Sequence, residues 1–452
     1  MQNNKLAYRV GILICLAIVL LGFTGLSLWA VTGVLFFSYI LINLLFGFGE
    51  GIPVNLVIGF IASLQWIIGP VLSYYTGINH PFYGMNIPEE VYFSYIIPGT
   101  FLYYIGLSLP IFSAQQISLS QVEKLEDSTT SKTKGAYYLL AVGFAASLLS
   151  SFVPPVLYFF LYLLSQLKYI GAFYLYLSKS GNKTVLYVVF AFLLLEVLAS
   201  AIFHDLVLWG LFFIFIYTIK NYVSMPKKLT YLALGFFMLL VLQTVKYQYR
   251  NVAWTNASLG SLARSELFTT MVFSTLLSPE SMFEQKRNEN TITRLNQGWI
   301  IARVMNYVPY NQPFAGGETI GNAFAASLLP RFIADSKATA GGRENMLRFT
   351  GIELQYGTSM NISIIGEAYA NYGRTGGIAF MFFIGMLFSF ILRFILIKSR
   401  DNPTLILWIP FLFLQVIKAE TDLITTLNYL VKASIAMFIV FWSFRNILKV
   451  EI

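Results

Sequence analysis

Charged residues, cysteine and histidine are all scarce in this chain, and each scarcity excludes a class of protein. Only 11% of the 452 residues are charged and 57% are hydrophobic, whereas an ordinary soluble domain carries about 25% charged residues. This composition excludes a soluble globular protein. One cysteine and two histidines leave nothing for a disulfide framework or a thiolate metal site, so no metal site is expected.

The glycine patterns of nucleotide-binding proteins are also missing. The sequence contains no Walker loop, and the glycines of Gly47–Gly51 lack the Rossmann spacing. We therefore expect no nucleotide donor, no cofactor and no nucleic-acid partner.

Long apolar stretches are abundant instead. A membrane-spanning helix needs about 20 apolar residues, and twelve stretches of about that kind occur. They lie near residues 8–27, 28–47, 54–76, 91–112, 136–153, 156–178, 184–203, 206–222, 229–247, 376–398, 404–419 and 428–447. The first begins an uncharged run, Val10 to Gly49, that is too long for a signal-peptide core. The sequence predicts an all-α polytopic membrane protein with about 12 transmembrane helices.

The lysines indicate which side of the membrane each loop occupies. They concentrate in alternate loops, whereas the other short loops hold only Lys418. By the positive-inside rule, both termini are predicted to be cytoplasmic. The predicted domains are residues 1–246 with helices 1–9, residues 247–375 as one large extracytoplasmic lobe of loops and amphipathic helices, and residues 376–452 with helices 10–12.

The predicted outer lobe is rich in arginine. Nine of its eleven basic residues are arginine, and the planar guanidinium group grips phosphate oxygens in two places. The lobe therefore suggests a phosphate-bearing ligand, although ordinary surface salt bridges with the acidic residues of the same lobe remain the alternative. The candidate ligand-binding arginines are Arg294, Arg331, Arg343, Arg348 and Arg374.

Three local patterns stand out within this lobe. Thr291–Val308 is predicted to form one helix, on which Arg294 and Arg303 point to opposite faces unless Gly298 breaks it. Two glycine-pair turns, Ala315–Glu318 and Ala340–Glu344, bring backbone N–H groups to positions where an anion can approach. Simple flexible turns are the alternative reading of both.

The stretch Ser359–Gly377 carries the most informative pattern. Its polar residues Ser363, Glu367, Asn371 and Arg374 recur at helical spacing and form one stripe, which must face protein or water. A carboxylate on such a helix is a candidate functional group, with a structural pair between Glu367 and an arginine as the alternative.

Two further candidate bases lie elsewhere. His204 is followed by Asp205, so this dipeptide is either a histidine–carboxylate pair or an interfacial loop. Glu318, after the first glycine pair, is the second candidate carboxylate.

The block Gly366–Gly373 (GEAYANYG), followed by Gly376-Gly377 and a long apolar helix, resembles the O-antigen polymerase (Wzy-type) and oligosaccharide repeat-unit polymerase families. The number of apolar stretches and the arginine-rich outer loop strengthen the likeness. The resemblance implies a GT-C-like membrane glycosyltransferase in the bacterial inner membrane. Such an enzyme performs metal-independent, inverting transfer of a growing glycan from undecaprenyl diphosphate to another lipid-linked repeat unit. Its partners would be these lipid-linked oligosaccharides, membrane lipid and a chain-length regulator protein.

This chemistry suits the candidate residues. Fixed arginines can stabilise the charge that develops on the leaving diphosphate, and a base near the acceptor hydroxyl is expected, with Glu367 first, Glu318 second and His204 third. Asn371 and Tyr369 are predicted to bind the glycan. An O-antigen ligase-like transferase shares these features and differs in its acceptor. A lipid-linked oligosaccharide flippase is the third possibility, but it would place its charges within the spans.

Overall fold

The computed structural model of the protein describes residues 2–76, 82–109, 119–200, 204–255, 260–278, 292–328, 342–355 and 358–452. It is 80% helical, with no strand among these residues. The predicted all-α class is therefore confirmed.

The helices follow one another along the described parts of the chain. They are α1 (Gln2–Phe23), α2 (Leu28–Gly47), α3 (Val54–Ser63), α4 (Gly69–Tyr75), α5 (Glu89–Leu107), α6 (Leu119–Ser131), α7 (Thr133–Leu149), α8 (Pro155–Ser165), α9 (Leu167–Leu177), α10 (Thr184–Ser200), α11 (His204–Lys220), α12 (Met225–Thr255), α13 (Ser261–Leu277), α14 (Gly298–Tyr307), α15 (Glu318–Leu328), α16 (Arg343–Thr350), α17 (Ser363–Lys398), α18 (Ile409–Phe413) and α19 (Leu423–Ser443).

Among the described residues, five helical segments are long and apolar enough to cross a membrane. They are Leu28–Gly47, Val54–Tyr75, Met225–Lys246, Ser363–Lys398 and Leu423–Leu448. This finding supports the predicted membrane protein. Each of the twelve predicted apolar stretches also overlaps a helix, but that all twelve cross the membrane stays a prediction.

Helix α9 occupies the centre of its part of the bundle, and all of its residues are buried. It packs closely on α7, where a side chain on Gly143 would lie 2.8 Å from the Lys168 Cβ atom. Lys168 is itself only 1% exposed, and its Nζ donates to Ser147 Oγ at 2.7 Å and to Glu196 Oε1 of α10 at 2.8 Å. A buried charge is stable only when it is paired in this way, so the pair joins α7, α9 and α10.

A second close approach joins α5 and α17. A Cβ atom on Gly106 would lie 2.8 Å from the Met386 nitrogen, and one on Gly385 would lie 3.1 Å from the Leu107 nitrogen. Small residues at such positions allow two helix backbones to touch, which is a common way to pack helices in membranes.

The glycine at 373 bends α17. Its φ of 65° and ψ of −162° are not helical, so the first ten residues of α17 take a direction different from the long apolar part. The predicted polar stripe is divided by this bend. Ser363, Glu367 and Asn371 are buried before it, and Arg374 is exposed after it.

The prediction of a single helix over Thr291–Val308 is wrong. Residues 292–295 are helical, Asn296 and Gln297 interrupt the helix, and α14 begins at Gly298. The interruption follows from tertiary packing, because Gln297 N donates to Gln65 O at 3.2 Å and Asn296 is 1% exposed. The outer lobe, predicted to begin at residue 247, overlaps α12, which continues to Thr255.

Replacement of Gly106 by alanine should destabilise the bundle by about 1–3 kcal/mol, because the new methyl group meets backbone atoms that cannot move aside. Gly11→Ala in α1 is the matched control, since nothing lies within 4 Å of its Cβ position. That change should be neutral or stabilising by about 0.5–1 kcal/mol. Thermal melts in detergent test the pair, and equal melting temperatures would contradict the close approach.

Replacement of Lys168 by methionine should lower stability by roughly 3 kcal/mol, the low end for a broken buried pair, because Glu196 is still 33% exposed. The control is Lys179→Met, which breaks an ion pair with Asp127 whose side chains are 57% and 67% exposed. Such an exposed pair contributes little to stability, because water screens the two charges. Similar melts for the two variants would argue against a structural role of Lys168.

Candidate functional site

A cleft lies where α15, α16, the start of α17 and the start of α19 meet. Its empty space is about 450 Å³, part of it open to solvent. We call it the carboxylate cleft. It is lined by Glu318, Thr319, Asn322, Gly342, Glu344, Asn345, Arg348, Glu367, Asp422 and Ile424.

Asn371 holds the first glycine-pair turn against α17. Gly316 N donates to the Asn371 carbonyl and Gly317 N donates to Asn371 Oδ1, each at 3.0 Å. Both glycines have positive φ, 58° and 96°, a conformation that disfavours other residues. Because these two N–H groups already have protein acceptors, the turn positions α15 and does not offer them to an anion. Asn371 is predicted from sequence to bind glycan. In the structure it is 1% exposed, and its bonds to this turn have a structural role.

Glu367 is buried at the floor of the cleft. It is 1% exposed, and its Oε2 accepts a hydrogen bond from Leu423 N at 2.9 Å. The carboxylate therefore lies at the N-terminus of α19, where the helix dipole favours negative charge. Among the described residues, no arginine forms an ion pair with Glu367. The structural alternative, a Glu367–arginine pair, is therefore not observed there. The carboxylate instead binds the N-terminus of α19.

Asp422 is the second buried carboxylate of the cleft. It is 0% exposed and is the N-cap of α19, with Oδ1 accepting from Thr425 N at 3.1 Å. Its other oxygen, Oδ2, is buried and accepts no hydrogen bond. Burial raises the pKa of the Asp422 carboxyl group, and its contacts with Thr425 and Asn345 oppose that rise. Glu367 and Asp422 are close enough to interact electrostatically.

The rim of the cleft carries an ion pair. Arg348 Nη1 and Nη2 donate to Glu318 Oε1 and Oε2, each at 2.8 Å. Hydrogen bonding by Arg348 lowers the pKa of the Glu318 carboxyl group, and the same bonds raise the pKa of Arg348. The sequence left two roles open for Arg348, ligand binding and a surface salt bridge. The structure shows the salt bridge.

A second charged feature, the cation cluster, consists of Lys246, Arg250 and Arg294. The first two lie one turn apart on α12, both half-buried, and Arg294 is exposed on the helical turn 292–295. Burial lowers the pKa of Arg250, and the nearby Arg294 lowers it further. Glu420 interacts with Lys246, and its Oε2 accepts from Gln297 Nε2 at 3.4 Å, so a carboxylate lies beside the cluster.

The loop before α19 connects the two features. Glu420 lies at the cation cluster, and Asp422 lines the carboxylate cleft. Two residues of chain span at most about 7 Å. Lys418, which is buried in the same loop, forms an ion pair with Asp205 at 3.5 Å. The loop thus places a cationic site and an acidic site side by side.

The other predicted site residues lie apart from the cleft or outside the described residues. Arg343 is exposed and donates to Leu354 O at 3.0 Å. Arg374 is exposed beyond the bend in α17. Tyr369 packs edge-on against the rings of Tyr95 and Phe314. Arg331 and the His204 side chain lie outside the described residues.

Sequence reasoning missed Asp422, Lys246 and Glu420. Lys246 and Arg250 are four residues apart on one helix, and that spacing was a detectable signal for a shared face. Asp422 precedes an apolar helix in the manner of an N-cap, but nothing in the sequence indicates that its second oxygen lacks a partner.

The rim pair should make a pH-dependent contribution to stability. The folded-state pKa of Glu318 is lowered, so the contribution is present above the unfolded pKa and is lost as the pH falls through the folded pKa. It is no more than about 1 kcal/mol because the pair is partly exposed. We expect Glu318→Gln to melt earlier than the wild type at pH 7 and the gap to close towards pH 3. Glu353→Gln, at an exposed glutamate outside the cleft, is the control. A gap that persists at low pH would contradict the pairing.

Comparison of the chain with protein-family models, curated proteins and solved structures finds no match. The resemblance of residues 366–377 to the polymerase families therefore stays a prediction.

Proposed function

We propose that the protein is a glycosyltransferase that polymerises undecaprenyl-diphosphate-linked oligosaccharide repeat units at the outer face of the bacterial inner membrane. The proposal includes about 12 transmembrane helices in a GT-C-like arrangement. Its main support is the position of the cation cluster beside the carboxylate cleft, joined by the two-residue step from Glu420 to Asp422.

The two features correspond to the two electrostatic needs of the reaction. When a sugar–diphosphate bond breaks, negative charge develops on the leaving diphosphate, and preorganised cations in a poorly hydrated place stabilise it. The half-buried Lys246 and Arg250, with the exposed Arg294 beside them, can supply this positive charge. The acceptor hydroxyl must lose its proton, for which the carboxylates of the cleft are suited.

The surroundings of the cation cluster suit a lipid-linked donor. The cluster lies at the end of the candidate span Met225–Lys246. An apolar stretch of 18 residues in this span is only 12% buried, against 39–56% for the corresponding stretches of the other four candidate spans. Exposed apolar residues such as Leu234, Phe236 and Met238 leave a surface along which a polyprenyl chain can lie. Its diphosphate would then reach Lys246 and Arg250.

The assignment of roles differs from that expected from sequence. Arg294 keeps its proposed diphosphate contact, and Arg250 and Lys246 join it. Arg348 is held by Glu318 at the rim of the cleft, and Arg343 and Arg374 lie outside its lining.

Chain extension by purified protein in nanodiscs tests the function directly. Lipid-linked repeat units are the substrate, and a ladder of longer lipid-linked glycans on a gel is the expected product. A deletion strain separates the alternatives. Single repeat units on lipid A core indicate a polymerase, whereas lipid-linked chains that cannot reach the core indicate a ligase. Single units that stay on the cytoplasmic side indicate a flippase.

Arg294→Ala should reduce chain extension about 10- to 100-fold, the effect of losing a charge-assisted hydrogen bond of about 1.5–3 kcal/mol. Arg294→Lys should recover part of that loss, because lysine keeps the charge but not the fork. Arg374→Ala is the control, since Arg374 is also exposed but belongs to neither feature. Extension at the wild-type rate by both Arg294→Ala and Lys246→Met would exclude the cation cluster as the diphosphate site.

A further inference from the structure

The Asp422 carboxylate has one well-formed hydrogen bond within the protein, from Thr425 N, and the side chains of Thr425 and Asn345 also contact it. Oδ1 accepts from Thr425 N and caps α19, whereas Oδ2 is buried without a hydrogen-bond partner. Buried polar atoms are nearly always hydrogen-bonded, and an unmet acceptor carries a desolvation penalty. A carboxylate oxygen left over beside a cleft therefore points to a donor supplied by a ligand.

Of the other three carboxylates that line the cleft, two are engaged by the protein, and the third, Glu344, is exposed. Glu318 uses both oxygens for Arg348, and Glu367 accepts the N–H of Leu423. Removing either from its partner would break a bond that positions the rim or the start of α19. Asp422 can receive a ligand hydrogen bond without giving up its own bond to Thr425.

We propose, on the basis of the function proposed above, that Asp422 Oδ2 binds the acceptor sugar hydroxyl and is the base of the transfer. In this step the hydroxyl oxygen forms a bond to the anomeric carbon of the donor glycan. The bond from that carbon to the diphosphate oxygen breaks, and its electron pair leaves with the diphosphate, whose charge the cation cluster stabilises. The hydroxyl proton moves to Asp422 Oδ2. A single displacement of this kind inverts the anomeric configuration and needs no further reactant.

The surroundings of Asp422 strengthen it as a base. Burial raises its pKa, and Glu367 places a second carboxylate nearby. The raised pKa favours uptake of a proton by Asp422. The position two residues from Glu420 keeps the proton acceptor close to the cations that hold the leaving group.

The capping role of Asp422 allows a sharp test. Asparagine and serine cap helices about as well as aspartate, so Asp422→Asn and Asp422→Ser keep the bond to Thr425 N but lose the basic oxygen. We expect both variants to melt like the wild type and to lose roughly 100- to 10,000-fold in kcat, the usual contribution of a general base. The KM for the lipid-linked donor should change little.

Two reference variants separate chemistry from folding. Asp422→Ala loses the cap as well as the base, so it should melt earlier and be no more active than Asp422→Asn. Ser27→Ala removes the N-cap of α2, where Ser27 Oγ accepts from Ala30 N at 3.1 Å, and should leave kcat per folded molecule unchanged.

The outcomes decide whether Asp422 is a catalytic base or only a helix cap. If Asp422→Asn or Asp422→Ser keeps the wild-type kcat, or if kcat falls only in proportion to the loss of folded protein, Asp422 is a helix cap and the inference is wrong. If wild-type protein itself fails to extend lipid-linked repeat units, it is the proposed function that fails.

Discussion

The backbones of α5 and α17 touch at Gly106 and Gly385, and the arrangement of the candidate site depends on that contact. Without a side chain at these two positions, the helices approach closely enough for backbone atoms to meet. The contact fixes the long apolar part of α17. Tyr95 of α5 also donates to the Ile365 carbonyl at 2.6 Å, so the same helix holds the first turns of α17, where Glu367 lies.

The bend at Gly373 then turns the buried polar residues of α17 towards protein. Polar groups in an apolar interior are costly unless they are hydrogen-bonded, and neighbouring elements supply hydrogen bonds to Asn371 and Glu367. Asn371 binds the turn at Gly316–Gly317 and donates to Thr319 Oγ1 at 2.7 Å, while Glu367 binds the start of α19. These bonds bring α15, α17 and α19 to one cleft.

Charge is arranged in neighbouring opposite groups through the same region. Lys168 pairs with Glu196, Lys418 with Asp205, and Glu420 faces the cation cluster. Poorly hydrated charges interact more strongly than charges in water, so this pattern would orient the proposed ligand, which carries a diphosphate at one end and hydroxyl groups at the other. The rim pair of Glu318 and Arg348 is more exposed and contributes less to the electrostatics of the cleft.

The helices themselves were predictable from sequence because a helix satisfies its backbone hydrogen bonds locally and a membrane helix needs a long apolar stretch. Every predicted stretch overlaps a helix, and only the tertiary packing of Gln297 against Gln65 broke the predicted helix over residues 291–308. The polar stripe predicted that Glu367 faces protein or water, and the structure shows that it is buried in protein.

The site could be predicted only in part. Whether an arginine binds a ligand or a carboxylate depends on residues distant in sequence, and Arg348 meets Glu318, which is 30 positions away. Asp422 comes beside Glu367 only because α17 and α19 pack together. The sequence determined which residue types are present and which segments are helical, since both are local properties. Tertiary structure alone decided which carboxylate oxygen was left without a partner, because hydrogen-bond satisfaction depends on every element that meets at the cleft.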